Sequence, residues 1–245
     1  MRGTTTAART RRTAAAATVG AVLVLGLGAC AGAPRGPVVS RDVPVDDVTS
    51  VELATSGDLT VRRGTAPSLT VTAREGTHDR LVSEVRDGVL HLGSTRSFGV
   101  SGLGEVSYEL VLGELQDLVV SGSGEVTGDD VTGDRLRVSI EGSGDVTLTG
   151  IDAEEVALLV EGSGDVEPAG RTGTLAVGIE GSGGIDADGL RAERVDVSIE
   201  GSGDVGVHAT RALAVSIEGS GSVAYAGDPE VTQDVAGSGE VVRED

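Results

Sequence analysis

Gly-Ser-Gly recurs along the chain with its first glycine at Gly122, Gly142, Gly162, Gly181, Gly201, Gly219 and Gly237. Successive copies are 18 to 20 residues apart. A fixed period of this size marks a repeat architecture, in which one unit cannot bury its apolar face alone and must stack on its neighbours. The stretch SGLGEV at Ser101 extends the series backwards, because Gly102 lies 20 residues before Gly122. The chain's folding problem is therefore a stacking problem.

What stacks is extended chain. Each copy is preceded by alternating apolar residues: LRVSI (136–140), VALLV (156–160), LAVGI (175–179), VDVSI (195–199) and LAVSI (213–217). Alternation of this kind describes a strand with one buried face. After each copy comes a second short strand, as in DVTL, DVEP, GIDA, DVGV and SVAY. Small-residue turns such as Thr149-Gly150 and Ala169-Gly170 then lead to a third side, as in Ile151-Asp152-Ala153.

The pattern predicts an all-β fold, a β-solenoid of the right-handed β-helix type, with coils of about 18–20 residues. Three inward ladders follow from the period. One is Ile140, Val160, Ile179, Ile199 and Ile217. Another is Val138, Leu158, Val177, Val197 and Val215. The third is Val126, Val146, Val166, Ile185, Val205 and Val223. A meander of hairpins is the alternative, but hairpins reverse direction and use two unlike strands per period. Near-identical sequence at every turn fits a solenoid better. With no Trp, two Tyr and one Phe in 245 residues, the core must be aliphatic.

Regularity divides the chain. Residues 119–245 form the regular repeat. Residues 41–118 form an irregular β region, with TSGDLTV at Thr55 as a worn copy of the motif, and read as a cap.

The first 29 residues are of another kind. Arg2, Arg9, Arg11 and Arg12 precede an apolar run from Ala14 to Ala29. That run is shorter than the roughly 20 residues that span a bilayer and has the layout of a secretory signal. Leu27, Gly28, Ala29 and Cys30, which is the sole cysteine of the chain, resemble the bacterial lipobox. The resemblance implies cleavage before Cys30 and a diacylglycerol on its thiol, so residues 1–29 are expected to be a lipoprotein signal peptide. Residues 30–40 would be the lipidated Cys and a tether, and the product would sit on the extracytoplasmic face of the cell membrane.

The formal charge of −20 narrows the partners. A polyanion repels nucleic acid and anionic headgroups, so no nucleic-acid partner is expected. The membrane is met through the lipid anchor, and the further partner is an unidentified protein or envelope component.

Two rows of acids are the sharpest chemical candidates. Glu141, Glu161, Glu180, Glu200 and Glu218 hold one position of the coil, and Asp145, Asp165 and Asp204 another. Solvated carboxylates about 4.8 Å apart repel by about 1 kcal/mol, which a divalent cation such as calcium would relieve. The competing reading is a solvated face, since Ile140 points in and Glu141 out. No cofactor and no assigned metal site is expected.

The serines of the turns, Ser123 to Ser238, would need a base beside them to act as nucleophiles. His78, His91 and His208 do not recur with the repeat. These serines are expected to hydrogen-bond turn backbone instead. GSG lacks the lysine and following helix of a phosphate loop. A polysaccharide-active β-helix enzyme would need a basic cleft or stacking aromatics, which this composition does not favour.

The recurring V-x-I-x-G-S-G-D-V pattern behind an export signal resembles the family of the putative auto-transporter adhesin, head GIN domain, over roughly Val43 to Val242. The resemblance implies a β-solenoid on exported, often lipid-anchored proteins and carries no catalytic residues. The expectation is thus a non-catalytic, adhesin-like or scaffold module of the cell envelope, ahead of a divalent-cation-binding envelope protein and of a β-helix enzyme.

Overall fold

A computed structural model describes residues 36–45, 48–95 and 102–244. The expected signal peptide, the lipobox and Cys30 lie outside the described residues. In chain order the strands are β1 (Val38–Val43), β2 (Ser50–Leu53), β3 (Asp58–Arg63), β4 (Ser68–Arg74), β5 (Leu81–Arg86), β6 (Val89–Ser94), β7 (Val106–Leu112), β8 (Asp117–Val120) and β9 (Val126–Asp129). A single helical turn, α1 (Glu75–His78), follows β4. The regular coils contain β10 (Thr132–Ile140), β11 (Val146–Val160), β12 (Asp165–Gly181), β13 (Gly184–Gly201), β14 (Asp204–Gly219), β15 (Ser222–Ala226), β16 (Glu230–Gly237) and β17 (Glu240–Arg243). Together they form a β-solenoid of about six turns.

The expected ladders are present residue for residue. On the first side of the coil, Ile140 pairs with Val160, Val160 with Ile179, Ile179 with Ile199 and Ile199 with Ile217, all in parallel register. Each of these five is at most 1% exposed. On the second side, Val146, Val166, Ile185, Val205 and Val223 stack in the same way. The third side carries Ile151, Leu190 and Ala192, also buried. Burying each large aliphatic side chain contributes about 1.5–3 kcal/mol, and nearly all of that burial is against the coil above or below.

The corners explain the glycines. An ideal Cβ on Gly162 would lie 2.0 Å from the carbonyl oxygen of Gly142, and one on Gly142 would lie 2.1 Å from that of Gly122. Backbone stacks directly on backbone there. The intervening serine N–H groups keep the ladder intact through the corner: Ser163 donates to Gly142 O at 3.1 Å and Ser202 to Gly181 O at 3.0 Å. The second glycine of each corner makes room for the core. A Cβ on Gly164 would meet Gly144 O at 2.0 Å and Ile140 Cγ2 at 3.0 Å. The isoleucine of one coil thus packs under the second glycine of the next. At the second corner the register shifts between Leu148 and Ile151, where Gly150 takes a φ of +66°.

The N-terminal region differs from the simple backward extension of the series. Gly122 does not stack on Gly102. Its Cβ would meet Thr55 O at 2.0 Å, and that of Gly124 would meet Gly57 O at 2.1 Å. The worn copy at Thr55–Asp58 is the true neighbour of the Ser121 corner. β2 lies between β6 and β8, and β3 between β7 and β9. The chain therefore lays down one coil, passes outside it through β4 to β7, and steps back over it to continue the stack. Leu103 is held from another quarter, with Thr77 Oγ1 of α1 donating to its carbonyl at 2.7 Å. Gly102 therefore holds no corner of the stack: an ideal Cβ there would meet only Arg80 Nη2, at 3.9 Å, and it is Val106 that lies against Gly57.

Beyond β6 and β7 the pairing turns antiparallel: β5 on β6, β4 on β7, and β1 on β4. This ends the parallel stack with a differently directed edge, which protects it against continued strand addition.

Candidate functional site: an acid-bordered trough on the first side

Outward positions of the first side alternate with the buried ladders. Two rows emerge between the corners. One contains Arg137, Ala157, Ala176, Asp196, Ala214 and Thr232. The other contains Ser139, Leu159, Gly178, Ser198, Ser216 and Asp234. Most of these side chains are small, so the sheet surface sinks into an open trough of about 600 Å³. Its rows run along the solenoid axis.

The glutamates stand on the corner beside it. Glu180, Glu200 and Glu218 are in direct register, and Glu141 and Glu161 continue the row. All five are exposed, and none forms an ion pair among the described residues.

The aspartate row has a structural task that the sequence reading missed. Asp145 Oδ1 accepts the N–H of Asp165 at 3.1 Å, and Asp165 Oδ1 accepts that of Gly184 at 2.8 Å. Asp58 does the same for Glu125 at 3.3 Å. The carboxylate adds a bond from one coil to the backbone of the next, where the corner leaves an N–H without a strand partner. The row is interrupted at Gly184, which pairs with Asp165 on one side and Asp204 on the other. The signal available in the sequence was the recurrence of Asp directly after Gly-Ser-Gly, at Asp145 and Asp165.

The turn serines depart from expectation. Their backbone N–H groups form the corner bonds, while the hydroxyls of Ser143, Ser163, Ser202 and Ser220 are exposed and make no hydrogen bond among the described residues. His78 Nε2 lies 2.9 Å from Val39 O, and His91 Nδ1 lies 2.7 Å from Glu52 Oε2, so both histidines belong to contacts of the cap.

Among the described residues, no three His, Cys, Asp or Glu side chains converge to hold a metal ion. Asp145 and Asp165 already spend an oxygen on backbone. Millimolar calcium is therefore expected to leave the thermal midpoint unchanged, and an upward shift would assign a structural calcium site to these rows.

Among the described residues, three ionisable groups are displaced. Burial raises the Tyr108 phenol. No partner among the described residues meets hydrogen-bond geometry at its hydroxyl, although the neighbouring Thr55 side chain acts in the opposite, lowering direction. Arg171 is raised by its hydrogen bonds to Asp152 and by the charge of that carboxylate. Asp188 is raised by desolvation first, then by Asp186 and Glu244, with His208 opposing. None of the three lies in the trough.

A family model described as putative auto-transporter adhesin, head GIN domain, matches residues 47–229. The chain belongs to the head GIN domain family. Its match takes in β4 and β5 of the antiparallel cap and the regular coils through β15. This head GIN domain is similar to the crystal structure of a putative adhesin from Bacteroides fragilis, with a TM-score of 0.80 and 24% identity over 86% of this chain and 99% of that one. A putative lipid binding protein from Parabacteroides distasonis has a TM-score of 0.71 and 25% identity, over 86% of this chain and 98% of that one. A putative adhesin from Parabacteroides merdae has a TM-score of 0.65 and 21% identity, over 87% and 99%. No curated protein matches the head GIN domain chain.

Proposed function

We propose that the chain is an exported lipoprotein, processed before Cys30 and held at the extracytoplasmic face of the cell membrane. There its solenoid acts as a non-catalytic, adhesin-like interaction or scaffold module. The observation that carries this reading is the architecture of the outer sides. Stacked coils present rows of equivalent side chains along the whole axis, with an open trough rather than an enclosed pocket. Such a surface suits contact with an extended partner. The descriptions of the Bacteroides fragilis and Parabacteroides merdae structures, each a putative adhesin, support it.

The tether between lipid and solenoid would then be the small, Pro-containing stretch that ends before Val38, because Val38 to Ser40 pair with β4 as the start of β1 rather than belonging to a linker reaching residue 40. Cys30→Ala removes the acylation site. The variant is expected to leave the membrane fraction, because each buried acyl CH₂ supplies about 0.8 kcal/mol of membrane affinity. Continued membrane retention would count against the anchor. For the interaction role, cells displaying the anchored protein are compared with cells lacking it for attachment to envelope and host-surface preparations. Equal attachment on every surface tried would remove the adhesin-like reading.

A further inference from the structure

We infer that the trough on the first side is a docking site for an extended polypeptide segment bearing basic side chains along one edge and small or apolar ones along the other. The inference rests on the interaction-module reading above and names the surface and the chemistry of the partner.

The trough spans six rungs, from Arg137 and Ser139 to Thr232 and Asp234. At about 4.8 Å per rung this is roughly 24 Å, a length matching about seven residues of extended chain. Ala157, Ala176, Gly178 and Ala214 leave the floor open, so a backbone can approach the sheet closely.

One of the polar side chains in that floor is buried. Ser139 lines the trough and is only 9% exposed, between Val119 and Leu159 of the flanking rungs. Strand alternation turns it outward between the buried Val138 and Ile140. Its hydroxyl has no hydrogen-bond partner among the described residues, so covering it with an apolar group would leave it unsatisfied. A peptide group can both donate to it and accept from it. An acyl chain can do neither.

Charge selects among peptides. Along one margin stand Glu141, Glu161, Glu180, Glu200 and Glu218, exposed and outside any ion pair. Asp196 and Asp234 lie in the trough itself. A second copy of this chain would bring the same rows and another charge of −20 against them. A basic segment meets the row with opposite sign and relieves its internal repulsion.

The test uses the full-length chain immobilised on a biosensor. The probes are a short alternating lysine–valine peptide, its glutamate–valine counterpart, and zwitterionic phosphatidylcholine vesicles. The lysine–valine peptide is expected to bind, more weakly as salt rises. The triple variant Glu161→Gln, Glu180→Gln, Glu200→Gln is expected to weaken it roughly tenfold, as several partly exposed ion pairs are lost together. Ser139→Ala is expected to weaken it by about fivefold, and Ala176→Tyr, which fills the open floor at an exposed strand position, to abolish it. Unchanged thermal midpoints would show that the variants fold.

Failure of the lysine–valine peptide to bind would overturn the inference. So would equal binding of the acidic peptide, full binding by the Ala176→Tyr protein, or vesicle binding that survives the triple substitution. Surface attachment that persists undiminished in cells displaying the Ala176→Tyr protein leaves the interaction-module reading standing and removes the trough. Absence of attachment by the unaltered protein removes the reading itself.

Discussion

Gly164→Ala is expected to destabilise the solenoid by about 3 kcal/mol or more, lowering the thermal midpoint by roughly 6–12 °C. One methyl group has this effect because of where it must go. It would lie 2.0 Å from the Gly144 carbonyl oxygen of the coil below and 3.0 Å from Ile140 Cγ2. Alanine has no rotamer that avoids a backbone oxygen, so relief requires the two coils to separate at the corner. Separation there stretches the bond by which Ser163 N–H reaches Gly142 O and lifts Val160 from Ile140, its partner in the ladder. Ser163→Ala, one residue away, is the control. Its hydroxyl is exposed and makes no bond among the described residues, so its effect is expected within about 0.5 kcal/mol. Thermal melts of the two variants check the pair. Similar midpoints for both would mean that the corner is not close-packed and that the glycines answer to something other than stacking.

The contrast between those neighbours shows what a repeat reveals in sequence. Period and alternation are properties of one strand and its copy, so the pairs Ile179–Ile199 and Val166–Ile185 could be written down from spacing alone. The corner glycines were legible as turns, but not as contact points between coils. Their role depends on a carbonyl twenty residues away. The cap was least legible. Its coil at Ser50–Arg63 is the spatial neighbour of residues 117–129, a step of 67 positions that no local period encodes. β4 and β5 look like any other alternating strand, although they run antiparallel to their partners. Direction is set by the connections, and alternation is blind to it.

The candidate site was legible in halves. The glutamate row is visible as a column in aligned repeats, and its outward direction follows from the isoleucine before it. The trough is not visible in that way. Ala157, Ala176 and Ala214 are ordinary small residues in their own strands. They become one surface only when the coils are stacked. Ser139 is buried because Val119 and Leu159 flank it from separate coils, and nothing in LRVSI distinguishes it from Ser198 or Ser216.

Stacking also predicts that the same ladder position differs in worth along the axis. Ile199→Ala is expected to cost 2–5 kcal/mol. Ile199 is fully buried between Ile179 and Ile217, and its Cγ2 lies where a Cβ on Gly221 would be only 2.8 Å away. Truncation there opens space beneath a glycine corner that has no side chain to fill it. Val235 holds the same ladder position one coil beyond Ile217, pairs only with that residue on its inner side among the described residues, and is 37% exposed. Val235→Ala removes less buried surface and leaves no enclosed cavity, so about 1 kcal/mol or less is expected. Urea unfolding separates the cases: the Ile199 variant should shift its midpoint strongly, at a slope close to the parent's, and the Val235 variant only slightly. Equal shifts would mean that stability is not passed from coil to coil, because then a residue held on both sides would be worth no more than one held on a single side.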